Sequence, residues 1–202
     1  MTTMPTPPEP AADREPLAAY DVRFGTPHYG RARRLMLRAF PPEERIAFPL
    51  LVLNSLRRSV RFQVFYDGAQ FAGLLYACFG NDLVYALFLA VNDEVRSRGY
   101  GSRILSQLKA EAGSRPVVLE IEPLDEGAAN YEQRVRRLRF YEHNGFRTTG
   151  FASVEDRCEY ALLTTQPEGE AFPAAAFEQL HRQTLAGLAS IRVEDRRPDQ
   201  QG

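Results

Sequence analysis

The chain has 202 residues, a formal net charge of -1 and 44% hydrophobic residues, values typical of one soluble globular domain with a substantial core. A net charge this close to zero excludes a global attraction to nucleic acid or to an anionic membrane. No apolar run reaches the roughly 18 residues of a membrane span. The first residues lack the apolar segment of a signal peptide, so we expect a cytoplasmic protein.

Composition also predicts how the chain is divided. Residues 1–17 are rich in proline, threonine, alanine and acidic residues, and we expect them to be a disordered leader. We expect residues 18–190 to form a single domain, and residues 191–202 to be a charged, frayed tail. Cys78 and Cys158 both lie in predicted strands. Two cysteines in this length are not a disulfide framework, so we expect buried, reduced thiols.

Turn and capping signals divide the chain into strands and helices. Thr26-Pro27 is typical of a helix N-cap followed by proline, Asp67-Gly68 of a hairpin turn, and Asn144-Gly145 of a helix C-cap. Apolar periodicity between these signals predicts strands over residues 21–24, 61–66, 71–79, 83–91, 116–122, 146–154 and 157–165. It also predicts five helices. The first begins at residue 27, the second covers residues 43–58, the third ends near residue 113, and the last two cover residues 130–143 and 171–188.

Two of these helices have apolar faces that we expect to pack on the sheet. In the second helix the face consists of Ile46, Leu50, Leu53 and Leu56. In the C-terminal helix it consists of Phe177, Leu180, Leu185 and Leu188.

The centre of the chain predicts a buried strand followed by an anion site. Residues 83–91 form an unbroken apolar run, typical of a strand covered on both faces. Gly99 and Gly101 then stand at the start of an amphipathic helix, where unobstructed N–H groups and the helix dipole favour phosphate. Arg96, Arg98 and Arg103 reinforce that interpretation. These features do not distinguish a nucleotide from CoA, and a plain strand-to-helix turn is the structural alternative.

The strand at residues 116–122 carries two acidic side chains. Its alternation places Glu120 and Glu122 on one face with Val118, and the other apolar residues on the opposite face. The two carboxylates are candidates for proton transfer, and a solvated strand face is the alternative.

Two motifs carry a resemblance to a known family. Arg96, Gly99 and Gly101 fit the pattern of Arg or Gln, two residues, Gly, one residue, then Gly or Ala. Residues 139–146 read RFYEHNGF, a helix-then-strand signature in which Tyr141 precedes a Gly-Phe pair. With one strand between these motifs and the order β-α-α-β-β-β-α-β-α-β-β-α, the chain resembles the GNAT superfamily of N-acetyltransferases over about residues 24–165.

The resemblance implies an α/β (α+β) fold with a mixed, mostly antiparallel sheet of about seven strands flanked by helices. The fourth and fifth strands would splay apart to admit the pantetheine arm of acetyl-CoA as co-substrate. Main-chain groups of Leu89 and Val91 would pair with the pantetheine amides. The residues that would bind the pyrophosphate are Arg96, Arg98, Gly99, Tyr100, Gly101 and Ser102.

The resemblance also implies direct acetyl transfer to a primary amine in a ternary complex. Tyr141 matches the position that often serves as general acid to the CoA thiolate, although an aromatic ring that only packs is the alternative. Glu122 and Glu120 are the candidate bases, acting through a water, and Glu122 comes first because it lies nearest the mouth of the site. The histidines and cysteines show no metal-ligand spacing, so we expect no metal.

One position departs from the family pattern, and the acceptor stays open. Arg134 stands where many members carry an asparagine that contacts CoA, which leaves the third CoA contact unassigned. Small-molecule, peptide and protein amines all remain candidates. Glu43 and Glu44 favour a cationic acceptor if they line its pocket, although the helix dipole also favours acids in a first turn.

Two other functions compete with the enzyme. One is a non-catalytic CoA-binding sensor that keeps the phosphate site without turnover. The other is a nucleic-acid binder that uses the arginine-rich helices, which would bind with a steep salt dependence. We expect no nucleic-acid or membrane partner, and either a monomer or a homodimer.

Overall fold

The structure is a computed structural model that describes residues 15–42, 45–95, 98–155, 158–185, 188 and 190–197. Its strands are β1 Ala18–Asp21, β2 Val60–Asp67, β3 Gln70–Phe79, β4 Val84–Val91, β5 Val117–Ile121, β6 Arg147–Glu155, β7 Cys158–Thr164 and β8 Arg192–Asp195. Its helices are α1 Pro27–Ala39, α2 Phe48–Asn54, α3 Tyr100–Ala112, α4 Tyr131–His143 and α5 Ala174–Leu185, with a short 3-10 helix, Asp93–Val95, after β4.

The eight strands form one sheet in the order β1-β2-β3-β4-β5-β7-β6-β8. All neighbours pair antiparallel except β4 and β5, which are parallel. Side chains of α1, α2 and α5 pack in the core on one face of the sheet. Side chains of α3 and α4 pack against the other. The predicted mixed, mostly antiparallel fold with splayed fourth and fifth strands is confirmed.

Both ends of the sheet differ from the prediction. β1 lies three residues before its predicted start, and all four of its side chains are exposed, so it carries no apolar alternation to mark it. Residues 192–195 were expected to fray, yet they pair with β6 in register as an edge strand. Main-chain pairing defines both edge strands, and in β8 the packing of Val193 on the core adds to it.

Residues near the expected leader are anchored to α3. Leu17 is 3% exposed, and its main-chain N–H and C=O both bond to the Gln107 side chain at 3.0 Å. The Arg103 guanidinium donates to the Glu15 carbonyl at 2.7 Å. The chain is therefore fixed to the domain from Glu15 onward in the described part.

The second helix is shorter than predicted and presents a different face. α2 covers Phe48–Asn54 and buries Phe48, Leu51 and Val52. The leucines that we expected to pack are exposed: Leu50 by 45%, Leu53 by 57% and Leu56 by 60%. The segment is apolar on every side, so periodicity could not choose the buried face. The Phe48 ring decides it by packing on Tyr29 and Phe62. Glu43 and Glu44 lie outside the described residues.

The two cysteines have opposite environments. Cys78 is buried in β3, but Cys158 is exposed at the start of β7. The expectation of two buried thiols is therefore wrong for Cys158.

None of the helices among the described residues is long and apolar enough to cross a membrane.

Candidate active site

The site is built on a gap between two parallel strands. β4 and β5 pair at only three positions: Val84 with Val117, Tyr85 with Val118, and Ala86 with Leu119. Beyond these pairs β4 continues to Val91 without β5 as its neighbour. An irregularity in the β3–β4 ladder leaves Leu87 without a partner in the register. The bulge turns β4 at the point where the strands part, as bulges commonly do. We call the space between residues 87–91 and residues 120–122 the strand gap.

Two residues of β4 turn their main chain into the strand gap. The Asn92 N–H donates to the Ala72 carbonyl on β3 at 2.8 Å. Hydrogen-bonded and non-hydrogen-bonded pairs alternate along an antiparallel ladder. The pairs that Val91 and Leu89 form with β3 are therefore non-hydrogen-bonded, and their N–H and C=O groups point toward the gap. This is the orientation that pairing with an extended amide chain requires.

A cavity of about 1130 Å³ opens along the strand gap. Its floor consists of residues 86–91 of β4 and residues 119–122 at the end of β5. One wall comes from the end of α1 and the segment that leads into α2, and it includes Phe40, Arg45 and Leu50. The other wall comes from α4 and includes Arg137 and Tyr141. The walls of the cavity therefore come from elements on both faces of the sheet.

The start of α3 lies next to this cavity. Gly99 has φ +73, in the left-handed region, so a residue with a Cβ is strained there. Gly101 has a different reason: a Cβ would stand 2.8 Å from Cζ of Phe140 on α4. The first helical bond runs from the Arg103 N–H to the Gly99 carbonyl. No described side chain caps the helix, so the N–H groups of residues 100–102 are available to an anion.

Only some of the side chains expected around the phosphate lie there. Tyr100 is 3% exposed and donates a 3.1 Å hydrogen bond to Asp67, so it contributes only its N–H. Arg103 was expected to reinforce the anion site, but it is 8% exposed and pairs with Asp67 at 2.9 Å. That expectation is wrong, because α3 turns Arg103 into the interface with the β2–β3 turn. Arg98 is exposed, and Arg96 lies outside the described residues.

Tyr141 lies in the last turn of α4 and lines the cavity. Its ring packs edge-on against Phe140 and Phe146, with centroid distances of 5.1 and 5.7 Å. Burial raises the pKa of Tyr141 to about 12, although the positive charge of Arg137 lowers the pKa in part. The phenol is therefore protonated at neutral pH and can donate a proton.

Glu120 is the first residue of β5 without a partner on β4, and it pairs with Leu162 of β7. Its carboxylate accepts hydrogen bonds from the Tyr85 hydroxyl and the Ser153 hydroxyl. It is on the same face as Val118, which packs with the α1, α2 and α5 side of the core. Burial raises the pKa of Glu120, and the bonds from Ser153 and Tyr85 lower it in part.

Glu122 has a different environment and a different neighbour. β5 ends at Ile121, so Glu122 no longer follows the alternation and its carboxylate pairs with α4 on the opposite side. Arg134 lies 3.1 Å and Arg137 2.7 Å from it, and Asn130 donates at 3.0 Å. Burial alone would raise the pKa of Glu122, but Asn130 and the two arginines together lower it. The expectation that both glutamates share one face is wrong.

Comparison with known proteins identifies the family. The family model described as an acetyltransferase (GNAT) domain matches residues 58–148. That segment contains the strand gap, the start of α3 and Tyr141. Residues 58–148 therefore form a GNAT acetyltransferase domain. The GNAT likeness seen in its two sequence motifs is thereby confirmed.

Two curated relatives match this chain in part. YjbC of Bacillus subtilis (strain 168) is 32% identical over 74 residues, which are 37% of this chain and 35% of YjbC. The tRNA(Met) cytidine acetyltransferase TmcA of Haloarcula marismortui is 29% identical over 119 residues, which are 56% of this chain and 14% of TmcA. The matched part of this chain thus spans less than half the length of either relative.

Solved structures share the GNAT fold over most of the chain. A GNAT-family protein from Bacteroides thetaiotaomicron has a TM-score of 0.63 at 23% identity, covering 82% of this chain and 96% of its own. A Bacillus subtilis acetyltransferase in complex with CoA has a TM-score of 0.52 at 14% identity, covering 75% and 99%. The ribosomal-protein-S18-alanine N-acetyltransferase from Escherichia coli has a TM-score of 0.54 at 16% identity, covering 77% and 99%.

The described residues of this site have a geometry that suits CoA. Free N–H groups at the start of α3 suit a pyrophosphate, and the main chain of Leu89 and Val91 suits the amides of a pantetheine arm. The cavity volume of about 1130 Å³ exceeds the range of about 300–1,000 Å³ that is typical of small-molecule sites. Among the described residues, no group of three His, Cys, Asp or Glu side chains could hold a metal ion.

Sequence reasoning missed Tyr85 and Ser153, which bond to Glu120. Tyr85 was counted only as part of an apolar strand, and Ser153 as part of a hairpin. Nothing local marks either residue, because they lie 35 and 33 positions from Glu120 along the chain. A buried glutamate within an apolar strand was the available signal, since such a carboxylate needs hydrogen-bond donors.

Proposed function

We propose that this protein is an N-acetyltransferase that moves an acetyl group from acetyl-CoA to a primary amine in a ternary complex. The observation that carries the proposal is the strand gap, which has free N–H groups of α3 beside it and the Tyr141 hydroxyl in its wall. Leu89 and Val91 would hold the pantetheine arm, and residues 98–102 the pyrophosphate. Arg96 would contribute to the same phosphate contact.

The two proton transfers are assigned to opposite sides of the gap. The amine nitrogen forms a bond to the thioester carbonyl carbon, and the carbon–sulfur bond then breaks. Tyr141 donates its proton to the departing thiolate, which its protonated phenol can do at neutral pH. Main-chain N–H groups near Val91 would stabilise the oxyanion that forms in between.

Glu120 takes the amine proton in this mechanism, through a water. Sequence reasoning ranked Glu122 as the first candidate base. In the structure, Glu122 forms ion pairs with Arg134 and Arg137, which help to lower the pKa of its carboxylate. Glu120 has a raised pKa and lies on the face opposite the α4 wall. It therefore stands on the side from which the acceptor would enter, with Tyr141 across the gap.

The acceptor class is a primary amine, and the described residues of the cavity lining do not select its charge. The cavity is lined by four arginines, Arg38, Arg45, Arg136 and Arg137, and by two glutamates, Glu120 and Glu122. Most of these are already paired: Arg38 with Asp93, for example, and Arg45 with the main chain. The relatives named for alanine of a ribosomal protein and for cytidine of a tRNA indicate how widely acceptors vary.

The test is an assay of thiol release from acetyl-CoA with a panel of amines. The panel contains small primary amines, a peptide N-terminus, a lysine peptide, an aminoglycoside and cytidine. Cys158 is exposed and would react with the thiol reagent, so the assay is run in a Cys158→Ser background. We expect release above solvent hydrolysis with at least one amine, and acetylation of that amine by mass spectrometry.

Two results separate the alternatives. CoA binding without turnover against the whole panel would contradict the enzyme and favour the sensor. Absence of CoA binding by calorimetry would contradict both.

A further inference from the structure

Three polar side chains from three strands meet below the strand gap. Tyr85 comes from β4, Glu120 from β5 and Ser153 from β6. The Tyr85 hydroxyl donates to Oε2 of Glu120, and the Ser153 hydroxyl donates to Oε1. Tyr85 is 1% exposed and Ser153 is 0% exposed. Both donors therefore lie inside the core while the carboxylate lines the cavity.

The hydrogen bond between Tyr85 and Glu120 joins β4 to β5 where the two strands separate. Tyr85 is in register with Val118, and Ala86 with Leu119 is the last pair before the gap. Glu120 is the next residue of β5 and has no partner on β4. The hydrogen bond between the Tyr85 and Glu120 side chains thus links β4 and β5 at the point where their main-chain pairing has ended.

The partners of Glu120 are unusual for a partly buried carboxylate. Within the described residues, its hydrogen bonds come from two neutral hydroxyls and it forms no ion pair. A carboxylate withdrawn from water is usually paired with a cation, as Glu122 is with Arg134 and Arg137. Hydroxyl donors stabilise the ionised form without neutralising it, and they leave the remaining lone pairs of each oxygen for a ligand.

We propose that Tyr85 and Ser153 are positioning residues that hold the Glu120 carboxyl group toward the acceptor side of the cavity and favour its ionised form. This inference rests on the proposed function, in which Glu120 accepts the amine proton. Burial raises the pKa of Glu120 and so opposes ionisation, whereas the hydrogen bonds from Ser153 and Tyr85 lower the pKa and favour ionisation. Without them the carboxyl group would carry a proton over a wider pH range and would be unable to accept another.

Several other charged or titratable groups surround the three residues. On the same face, Tyr160 lies in register with Ser153, and the His181 ring of α5 lies 6.2 Å from the Tyr85 ring. Across the cavity, the first wall carries Arg38 and Arg45, and the α4 side carries Arg136, Arg137 and Tyr141, with Glu122 paired to it. These groups are identical in the variants proposed below, so each comparison isolates one hydroxyl.

The direct test follows the Glu120 carboxyl carbon by NMR titration. The signal is assigned by its loss in Glu120→Gln, in protein labelled with carbon-13 glutamate. We expect Tyr85→Phe and Ser153→Ala each to move the Glu120 titration to higher pH than in the wild type. Tyr76→Phe is the matched control, because it removes a buried phenol oxygen of the same core that bonds to Asn54 and not to Glu120. We expect it to leave the titration unchanged.

The kinetic test uses the ratio of kcat/KM at low and high pH. With either variant we expect kcat/KM at pH 6 to fall by at least roughly tenfold, and at pH 9 to stay within about threefold of the wild type. A loss that is equal at both pH values would show a structural role and would overturn the inference. An unmoved titration in both variants would overturn it as well, and if one variant does not fold, the other decides.

The two proposals fail separately. The NMR titration needs no turnover, so a wild type without transferase activity contradicts the proposed function and leaves the role of the two hydroxyls measurable. An active wild type whose Glu120 titration ignores both hydroxyls contradicts only the present inference.

Discussion

The Arg137 guanidinium lies 2.7 Å from the Glu122 carboxylate, one helical turn before Tyr141 on the same face of α4. This ion pair holds Glu122 to the wall that carries Tyr141. Glu120, two residues earlier, turns to the opposite face of the sheet. The pair therefore separates two carboxylates that the strand pattern had placed side by side.

The first prediction concerns the base. We expect Glu120→Gln to lower kcat/KM by about 10²- to 10⁴-fold, the usual contribution of a general base, because the amide cannot accept the amine proton. We expect Glu122→Gln, the matched control, to lower it by less than about tenfold. Steady-state kinetics with the best acceptor and CoA affinity by calorimetry measure both. A larger loss in Glu122→Gln than in Glu120→Gln would return the base to Glu122.

Glu122 should instead affect stability. Its partners lower its pKa, so its contribution is present above the pKa of the unfolded carboxyl and is lost as pH falls through the lower folded value. We expect Glu122→Gln to reduce the free energy of unfolding by about 1–2 kcal/mol at pH 7. Urea unfolding should show this difference disappearing in acid. A difference that persists at the lowest pH at which the protein still folds would contradict the ion-pair account.

The second prediction concerns the acid. We expect Tyr141→Phe to lower kcat by about 10²- to 10⁴-fold while the Kd for CoA stays within about threefold. Because burial raises the pKa of Tyr141 to about 12, wild-type kcat should not fall up to pH 10 through loss of this proton. Tyr131→Phe, at the other end of the same helix, is the control. A fall in kcat of less than about threefold would show that Tyr141 only packs.

The third prediction concerns the contact between α3 and α4. A Cβ at Gly101 would stand 2.8 Å from Cζ of Phe140, so Gly101→Ala should push the start of α3 away from α4. We expect CoA affinity to weaken by roughly tenfold, about 1.4 kcal/mol. Phe140→Leu shortens the obstructing side chain and should restore part of that affinity in the double variant, as coupling between neighbours requires.

Gly99→Ala provides the contrast for this pair. No heavy atom lies within 4 Å of a Cβ at that position, but φ is +73. The cost is then backbone strain of about 1–2 kcal/mol, and Phe140→Leu should not relieve it. Rescue of Gly99→Ala to the same degree as Gly101→Ala would contradict the steric explanation.

The fourth prediction concerns His181, which is 2% exposed in α5. Burial lowers the pKa of His181 from 6.5 to about 4. Between those pH values the unfolded chain binds more protons than the folded one, so the free energy of unfolding rises with pH. His181 alone should account for about 3 kcal/mol of the gain between pH 4 and pH 7.5. Urea unfolding should show a flatter pH profile of stability for His181→Gln than for the wild type, and an unchanged slope in that variant would contradict the assignment to His181.

Local sequence determined the parts of the site that depend on neighbouring residues. Gly99 and Gly101 predicted the start of α3, and the motif around Tyr141 predicted the end of α4. The unbroken apolar run predicted β4 within one residue of its observed start. Each of these features depends on backbone geometry or packing within a few positions, which the order of residues records directly.

Tertiary structure decided what surrounds the two carboxylates and which apolar faces are buried. Glu120 meets hydroxyls of β4 and β6, and Glu122 meets guanidinium groups of α4. The same pairing of distant segments turned Arg103 away from the phosphate site and brought residues 192–195 onto β6. A carboxylate's proton affinity depends on the solvent it loses and the donors it gains. Both arise only when strands far apart in the chain come together, so the sequence supplied two candidate bases and the fold made them chemically different.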